Sequence, residues 1–204
     1  GFNSIRPALH YKWFTPSVEE EPVQDEITWR SKGFELLDSL ISWCTENQMY
    51  LFLDLHAAPG GQGYNASISD SDPGKPSLWE SEANKRKTAA LWEKIARICK
   101  DEPWVGGYDI LNETNWTFEG NFDGNNAKNG CSDTLNAPLR ALLEEITDSI
   151  RQEDTSHMII LEGNCWANNY AGLTPPWDDN LVYSFHKYWN PNNQEAIQKF
   201  LNLR

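Results

Sequence analysis

The sequence predicts an α/β fold built on a parallel sheet. Apolar, strand-like segments alternate with helical segments along the chain, and the polar or aromatic residues of the strand-like segments stand at their carboxyl ends. Strands that alternate with helices form parallel pairs joined by right-handed crossovers. In such folds the functional groups gather at the carboxyl ends of the strands.

Composition limits the partners that this fold can have. The chain has 204 residues, of which 39% are hydrophobic, and a formal net charge of -13. This length is enough for one domain with a core. The acidity disfavours nucleic acid and anionic membranes as partners, because both bind basic patches. No apolar run in the sequence is long enough to span a membrane.

The amino-terminal half supplies two strands and a helix. Residues 3–11 have the pattern of a short strand, residues 33–48 have apolar residues at helical spacing, and residues 49–56 form a buried strand that is apolar on both faces. This last strand ends in Asp54 and His56, which period-two alternation places on one face. Both side chains are therefore candidates for a site at the edge of the sheet.

The middle of the chain carries the most informative strand. A helix over residues 85–100, with Trp92 expected at the edge of its buried stripe, leads into a strand over residues 105–113. That strand ends abruptly in Asn112 and Glu113. An Asn-Glu pair taken alone more commonly caps a helix or forms a turn, and the polar ends of the other strands are what favour a functional site here.

The last third of the chain repeats the alternation. A helix over residues 138–152 precedes a strand over residues 158–162, a further strand covers residues 181–186, and a helix begins near Gln194. Functional residues at the ends of many strands favour a barrel over a doubly wound sheet, in which ligands gather at one switch point. The predicted fold class is therefore an α/β barrel of the (β/α)8 TIM type.

The cysteines and one loop leave alternatives open. Cys44 and Cys99 fall in helical segments and are expected to be small buried thiols. Cys131 and Cys165 fall in loops that follow consecutive strands, so they are either bridged or free. The oxygen-rich segment 121–126 has the composition of a calcium loop, but its spacing matches no calcium-binding motif, which disfavours a metal there.

The polar strand ends combine the groups that a carbohydrate site needs. An amide such as Asn112 can hold a hydroxyl group, a carboxyl group such as Glu113 can give or take a proton, and an indole such as Trp116 can carry a sugar face. Arg6 can point inward from the first strand, where Asp54 is its natural ion-pair partner. These groups together predict a carbohydrate-active site.

Four separated motifs carry a family resemblance: Arg6 in Ile-Arg-Pro, His56 in Leu-Asp-Leu-His, Asn112-Glu113 in Leu-Asn-Glu, and His186 with Tyr188 in His-Lys-Tyr. With these motifs in this order, the chain resembles glycoside hydrolase family 5, the cellulase-like (β/α)8 barrels. The four together are far more specific than any one of them. The family usually has proline after the Asn-Glu pair, where this chain has Thr114. Little effect is expected of that departure.

The resemblance implies a role for each matched residue. Glu113 would be the general acid/base, and Asn112 would hold the sugar 2-hydroxyl group near the nucleophile. His56 would bind the sugar in the subsite to be cleaved. The other three matched residues would support or orient the carboxyl groups of the reaction: His186, Tyr188 and Arg6.

The resemblance covers strands two to six of the barrel. Members of the family are retaining enzymes, which need two carboxyl groups about 5–5.5 Å apart, and the family pattern places the nucleophile at the end of strand seven. Residues 1–204 are therefore expected to form a single catalytic domain that is incomplete at both ends, without strands one, seven and eight. Glu162 ends the fifth strand, where the family has no nucleophile, and is expected to be structural or to contact sugar.

The function implied by the resemblance is that of a secreted, cofactor-free, retaining endo-β-1,4-glycanase acting on a plant-type polysaccharide or oligosaccharide. Mannan or xyloglucan are alternative substrates, and exo action and oligomeric state stay open. A non-catalytic carbohydrate-binding pseudoenzyme is the alternative of another class. A metal-dependent hydrolase is disfavoured, because no metal-ligand spacing is present. Aromatic platforms are expected in the loops after the strands: Trp79, Trp116, Trp166 and Trp189.

Overall fold

The computed structural model describes residues 1–120, 129–188, 191 and 193–203. Over these residues the chain forms a six-stranded sheet in which every strand pair is parallel. The strands are β1 (Ser4–Ile5), β2 (Ala8–His10), β3 (Tyr50–Ala57), β4 (Val105–Asp109), β5 (Met158–Glu162) and β6 (Leu181–Ser184). The helices are α1 (Ser31–Glu46), α2 (Ala66–Ser69), α3 (Glu82–Cys99), α4 (Ala137–Arg151), α5 (Asn164–Ala167) and α6 (Gln194–Leu201).

The order of the strands confirms the predicted α/β class. Along the sheet the strands run β1-β3-β4-β5-β6, with β2 also paired to β3. Each strand is thus followed by its successor in the chain, without the reversal that defines a doubly wound sheet. This is the order of neighbouring strands in the wall of a (β/α)8 barrel.

The first predicted strand is present as two short segments. Ser4 lies opposite Tyr50 in the register of β1, and Ala8 lies opposite Asp54 in that of β2. Pro7 falls between the two segments, and a proline has no amide hydrogen to donate to the ladder. The interruption leaves Arg6 between the segments, beside the carboxyl half of β3.

The helices lie close to their predicted positions. The helix predicted over residues 33–48 is α1, the one over 85–100 is α3, and the one over 138–152 is α4, with ends within three residues of those predicted. The Ser81 side chain caps α3 by accepting a hydrogen bond from the amide of Asn84, at 3.3 Å. No helix of the described ranges is both long enough and apolar enough to cross a membrane.

The sequence pattern predicts Trp92 at the edge of the buried stripe of α3, but the residue lies within the core. Its side chain is fully buried and its Nε1 donates to the carbonyl of Ile110 at 2.9 Å. Strand β4 ends at Asp109, four residues earlier than predicted, so this carbonyl lies beyond the regular ladder. Trp92 therefore fixes the irregular segment that leads from β4 to the candidate site.

The structure shows which cysteines are free and which are bridged. Cys44 and Cys99 are free and buried, as predicted. Cys131 and Cys165 form a disulfide with a Cα–Cα distance of 4.7 Å. Of the two alternatives left open by the sequence, the bridge is the one present, and it ties the loop after β4 to the loop after β5.

Candidate active site

The carboxyl ends of the strands surround an open cavity of about 420 Å³. Four of the predicted site residues face it, together with three residues that the sequence did not single out. The lining consists of Asn65, Ile68, Glu113, Trp166, Asn168, His186 and Tyr188. The parallel sheet thus brings the Asn-Glu and His-Lys-Tyr motifs, which are more than 70 residues apart in the chain, to one place.

Glu113, His186 and Glu162 form a closed ring of contacts at the base of this cavity. His186 Nδ1 lies 2.5 Å from Glu113 Oε1, and His186 Nε2 lies 3.0 Å from Glu162 Oε1. The ring closes where the backbone amide of Glu113 donates to Glu162 Oε2 at 2.7 Å. The backbone of Glu113 is left-handed, with φ of 42°, a conformation that non-glycine residues rarely adopt.

The two carboxylates keep His186 protonated. Burial by itself lowers the pKa of this imidazole, but the hydrogen bonds and charges of Glu113 and Glu162 outweigh it and raise the pKa to about 10. The imidazolium has two N–H donors, one for each carboxylate. His186 therefore supplies a fixed positive charge next to the Glu113 carboxylate at neutral pH.

Because the imidazolium of His186 stabilises the fold, we expect its deprotonation to lower the stability of the protein at alkaline pH. Because the pKa of His186 rises from an ordinary 6.5 to about 10 on folding, its stabilising contribution is complete below pH about 6.5 and is lost as the pH rises through about 10. Urea unfolding at pH 6, 8 and 10 is the measurement. The wild type is expected to lose more free energy of unfolding over this range than His186→Gln, whereas parallel losses would contradict the prediction.

Arg6 is the cation of a second, deeper cluster. Its Nη1 pairs with Asp54 at 3.1 Å, as predicted, its Nε donates to Asp109 at 2.8 Å, and its Nη2 lies 2.8 Å from Glu162. Nη2 also donates to the Asn112 side chain at 3.2 Å. Burial lowers the pKa of Arg6, but the three carboxylates outweigh burial and raise it. Arg6 thus joins the ends of β3, β4 and β5.

Glu162 has no free oxygen to offer a sugar. Its side chain is 0% exposed, and its two oxygens are taken by Arg6, His186 and the amide of Glu113. The sugar contact expected as one alternative for Glu162 is therefore wrong in this structure, because the residue lies behind the cavity. Its structural alternative is the one that fits.

His56 and Asn112 lie beside the ring. His56 Nδ1 is 2.9 Å from Asp54 Oδ2, and this hydrogen bond is the main cause of a raised pKa at His56. The His56 side chain is 37% exposed, whereas Asn112 is fully buried with its amide oxygen bound by Arg6. His56 can therefore meet a ligand directly, and Asn112 stands in the layer beneath it.

The predicted tryptophan platforms differ in their surroundings. Trp166 faces the cavity beside Glu113. Trp116 stacks face to face on Tyr64, with ring centroids 4.0 Å apart and planes at 8°, so one face of its indole is covered. Tyr188, on the opposite rim, is 75% exposed. Trp166 and Tyr188 are thus the aromatic side chains that line the cavity.

Trp79 is partly buried and packs against the hydrophobic core. Its ring meets Phe118 edge to face, with centroids 4.8 Å apart, and its Nε1 donates to the carbonyl of Gln62 at 3.0 Å. The sequence places Trp79 in a long loop but does not show which way the ring turns. Trp189, the fourth predicted platform, and the segment 121–126 considered for calcium lie outside the described residues.

Gln62 is a buried residue of the site that the sequence did not reveal. Its Nε2 donates to the carbonyls of His56 and Asn112, both at 2.8 Å, and its Oε1 accepts from the amide of Ala58 at 3.1 Å. Beyond Asp109 the amide of Asn112 still donates to the carbonyl of Leu55 at 3.2 Å, and the Gln62 side chain adds a second link between the two strand ends. The only sequence signal is its place directly after Pro59-Gly60-Gly61.

We expect Gln62→Met to lower the free energy of unfolding by about 2 kcal/mol, because two buried carbonyls and one amide lose their partner at nearly unchanged volume. Denaturant unfolding measures the effect. Gln198→Met, on the exposed face of α6, is the matched control and should change little. A Gln62 variant as stable as this control would contradict the bridging role.

Comparison with known proteins agrees with this geometry. The chain matches the family model described as Cellulase (glycosyl hydrolase family 5) over residues 1–201. A β-xylosidase of Phanerodontia chrysosporium is 28% identical over 190 residues, which cover 92% of this chain and 35% of that protein. Endoglucanase C of Acetivibrio thermocellus is 23% identical over 199 residues, which cover 94% of this chain and 47% of that protein.

Solved structures share the fold. Pseudomonas stutzeri endoglucanase Cel5A in complex with cellobiose superposes with a TM-score of 0.64 at 20% identity, over 92% of this chain and 48% of that one. The chain spans about half the length of these relatives or less. Because the family model matches nearly all residues of this chain, the chain belongs to glycosyl hydrolase family 5.

Proposed function

We propose that the protein to which this chain belongs is a retaining β-glycanase in which Glu113 is the general acid/base. One observation carries the proposal: the Glu113 carboxyl group lines the cavity, and His186 Nδ1 lies 2.5 Å from its Oε1, within reach of proton exchange. Such a carboxyl group is positioned for proton transfer to and from a ligand. The matching motifs of the family support the same assignment.

The proposed reaction uses Glu113 twice. In the first step the proton of the His186–Glu113 pair passes through the Glu113 carboxyl group to the glycosidic oxygen as the bond to the anomeric carbon breaks, and a nucleophilic carboxylate forms a glycosyl-enzyme at that carbon. In the second step Glu113 accepts a proton from water, which attacks the same carbon and releases the nucleophile. Retention of configuration follows from the two displacements.

The nucleophile needs a second carboxyl group at the cavity. Among the lining residues that the structure describes, Glu113 is the one carboxylate, and Glu162 is buried with its oxygens engaged. We therefore assign the nucleophile to a part of the barrel that residues 1–204 do not contain. This assignment agrees with the length of the chain, which spans about half of its relatives. We propose that residues 1–204 are an incomplete barrel domain.

The substrate is proposed to be a β-1,4-linked glucan. Trp166 and Tyr188 offer aromatic faces to sugar rings, and the amide of Asn65 lines the same cavity. The Pseudomonas stutzeri relative is described with cellobiose. Xyloglucan and mannan stay the alternative substrates, and a relative described as a β-xylosidase adds a xylose-containing glycan to them.

The disulfide supports a place of action outside the reducing cytosol. Disulfides such as Cys131–Cys165 persist in oxidising compartments and are rare in the cytosol. Secretion is therefore the proposed localisation, in keeping with a polymeric substrate that does not enter cells.

Reducing-sugar release tests the proposal. The 204-residue chain and the full-length protein, each beside its Glu113→Gln variant, are incubated with β-glucan, xyloglucan and mannan. We expect release by the full-length protein alone, and its loss in the variant. Glu113-dependent release by the folded short chain would instead place the second carboxylate within residues 1–204. Full-length protein that binds these glycans without cleaving any would favour the pseudoenzyme alternative.

A further inference from the structure

Trp166 stands on an unusual turn. Cys165, Trp166 and Ala167 have φ of 55°, 53° and 59°, three successive left-handed residues of which none is glycine. L-residues visit this region singly and at a cost, because Cβ crowds the following carbonyl. Such a turn persists only where the surrounding structure holds it.

Two kinds of contact hold this turn. The Asn164 side chain accepts from the amides of Trp116 and Cys165, at 3.1 and 2.8 Å, and donates to the carbonyl of Trp116 at 2.7 Å. The disulfide fastens the first left-handed residue to Cys131, in the loop that follows β4. The turn is thus anchored at two successive residues, Asn164 and Cys165, to the segment that follows the Asn-Glu motif.

The turn is also joined directly to the catalytic segment. The amide of Trp166 donates to the carbonyl of Thr114 at 3.0 Å, one residue beyond Glu113, and its side chain lines the same cavity. The ring formed by Glu113, His186 and Glu162 has no contact with either bridged cysteine among its hydrogen bonds and ion pairs in the described part of the chain. The disulfide therefore acts on the turn that carries Trp166, whereas the Glu113 carboxyl group is held by His186.

We propose that the Cys131–Cys165 disulfide is a positioning element of the substrate site, which holds Trp166 against the bound sugar and makes glycan affinity dependent on redox state. The proposal rests on the function proposed above. A dithiol reductant supplies two electrons and two protons to the bridge, which becomes two thiols while the dithiol becomes a disulfide. The released turn then has one anchor fewer, and Trp166 no longer keeps its place.

The protein permits a clean experiment, because the remaining thiols are shielded. Cys44 and Cys99 are buried, and burial raises the pKa of both thiols, which keeps them from forming thiolates. Reduction with dithiothreitol and alkylation with iodoacetamide under native conditions should therefore modify two cysteines within residues 1–204, as counted by peptide mass. Cys131→Ala gives the same unbridged state without reagents.

Binding of cellotetraose to the full-length protein is the first readout. We expect reduction and Cys131→Ala each to raise Kd by about five-fold, the size of one aromatic contact, with kcat little changed. Trp166→Ala should show the same loss while oxidised and no further loss after reduction, because the bridge acts through this indole. An unchanged Kd, or an equal further loss in Trp166→Ala, would overturn the proposal.

Hydrogen exchange at the Trp166 amide is the second readout and needs no ligand. Its bond to Thr114 should protect it in the oxidised protein, and protection should fall on reduction. Unchanged protection would refute positioning by the bridge, whichever glycan the protein binds. Lost protection in a protein that neither binds nor cleaves any glycan would count against the proposed function and not against the positioning.

Discussion

Replacing Glu113 by glutamine is expected to lower kcat on β-glucan by about 10²- to 10⁴-fold, the contribution of a positioned general acid. Glutamine keeps the size of the side chain and an oxygen for His186, so the cavity should keep its shape. What it loses is the proton for the departing glycosidic oxygen. An aryl β-glucoside with an acidic phenol should lose much less kcat/KM, since that leaving group departs without protonation, although its kcat should still fall because the second step needs Glu113 as a base.

Steady-state kinetics of the full-length enzyme on both substrates provide the measurement. Glu35→Gln is the matched control: it makes the same chemical change on the exposed side of α1, where Glu35 faces Lys32 at 3.8 Å, and should leave kcat unaltered. If the Glu113 variant lost the same factor in kcat/KM on both substrates, the residue would bind substrate without donating the proton.

Replacing Arg6 by methionine is expected to lower the free energy of unfolding by about 3 kcal/mol near pH 8, as for a buried ion pair that loses one partner. The side chains of Asp54, Asp109 and Glu162 are at most 1% exposed and share this one guanidinium. Burial already raises the pKa of Asp54 and Asp109 in the presence of Arg6. Without the cation the pKa values rise further.

The sign of the pH dependence follows from that rise. A carboxyl group with a raised folded pKa takes up a proton on folding, so the variant should be less destabilised at pH 5 than at pH 8. Urea unfolding at both pH values measures this. Arg97→Met is the control, because Arg97 is 56% exposed in its pair with Glu153 and its loss should matter little. Equal destabilisation of the Arg6 variant at both pH values would contradict the account.

The elements of the fold could be predicted because periodicity reports burial directly. Strand β5 lies at its predicted bounds, and α6 begins at Gln194 as predicted. The end of β4 was missed, since an apolar pattern does not show where ladder pairing stops. Beyond Asp109 the backbone keeps isolated main-chain hydrogen bonds and gains partners from the side chains of Trp92 and Gln62. Such long-range partners leave no periodic signal.

The site could be predicted best where it lies on strand ends. Glu113 and His186 meet because parallel strands direct their carboxyl ends to one edge. Among the residues on loops Trp166 was predicted for the site, whereas Asn65 and Asn168, which also line the cavity, were not, because nothing in their neighbours fixes a direction for them. Trp79 differs from Trp166 for the same reason, because the direction of a loop side chain is decided by tertiary packing.

The left-handed backbone of Glu113 has a consequence for exchanging loops between relatives. Proline drives the residue before it towards extended conformations with φ near about -120°, whereas Glu113 has φ of 42°. The small effect expected of Thr114 therefore does not extend to the backbone: a proline at position 114 would disfavour the left-handed conformation that Glu113 adopts here. A chimera with proline at position 114 would need a different backbone path for this loop. That path would also move the carbonyl of residue 114, which accepts the hydrogen bond from the Trp166 amide.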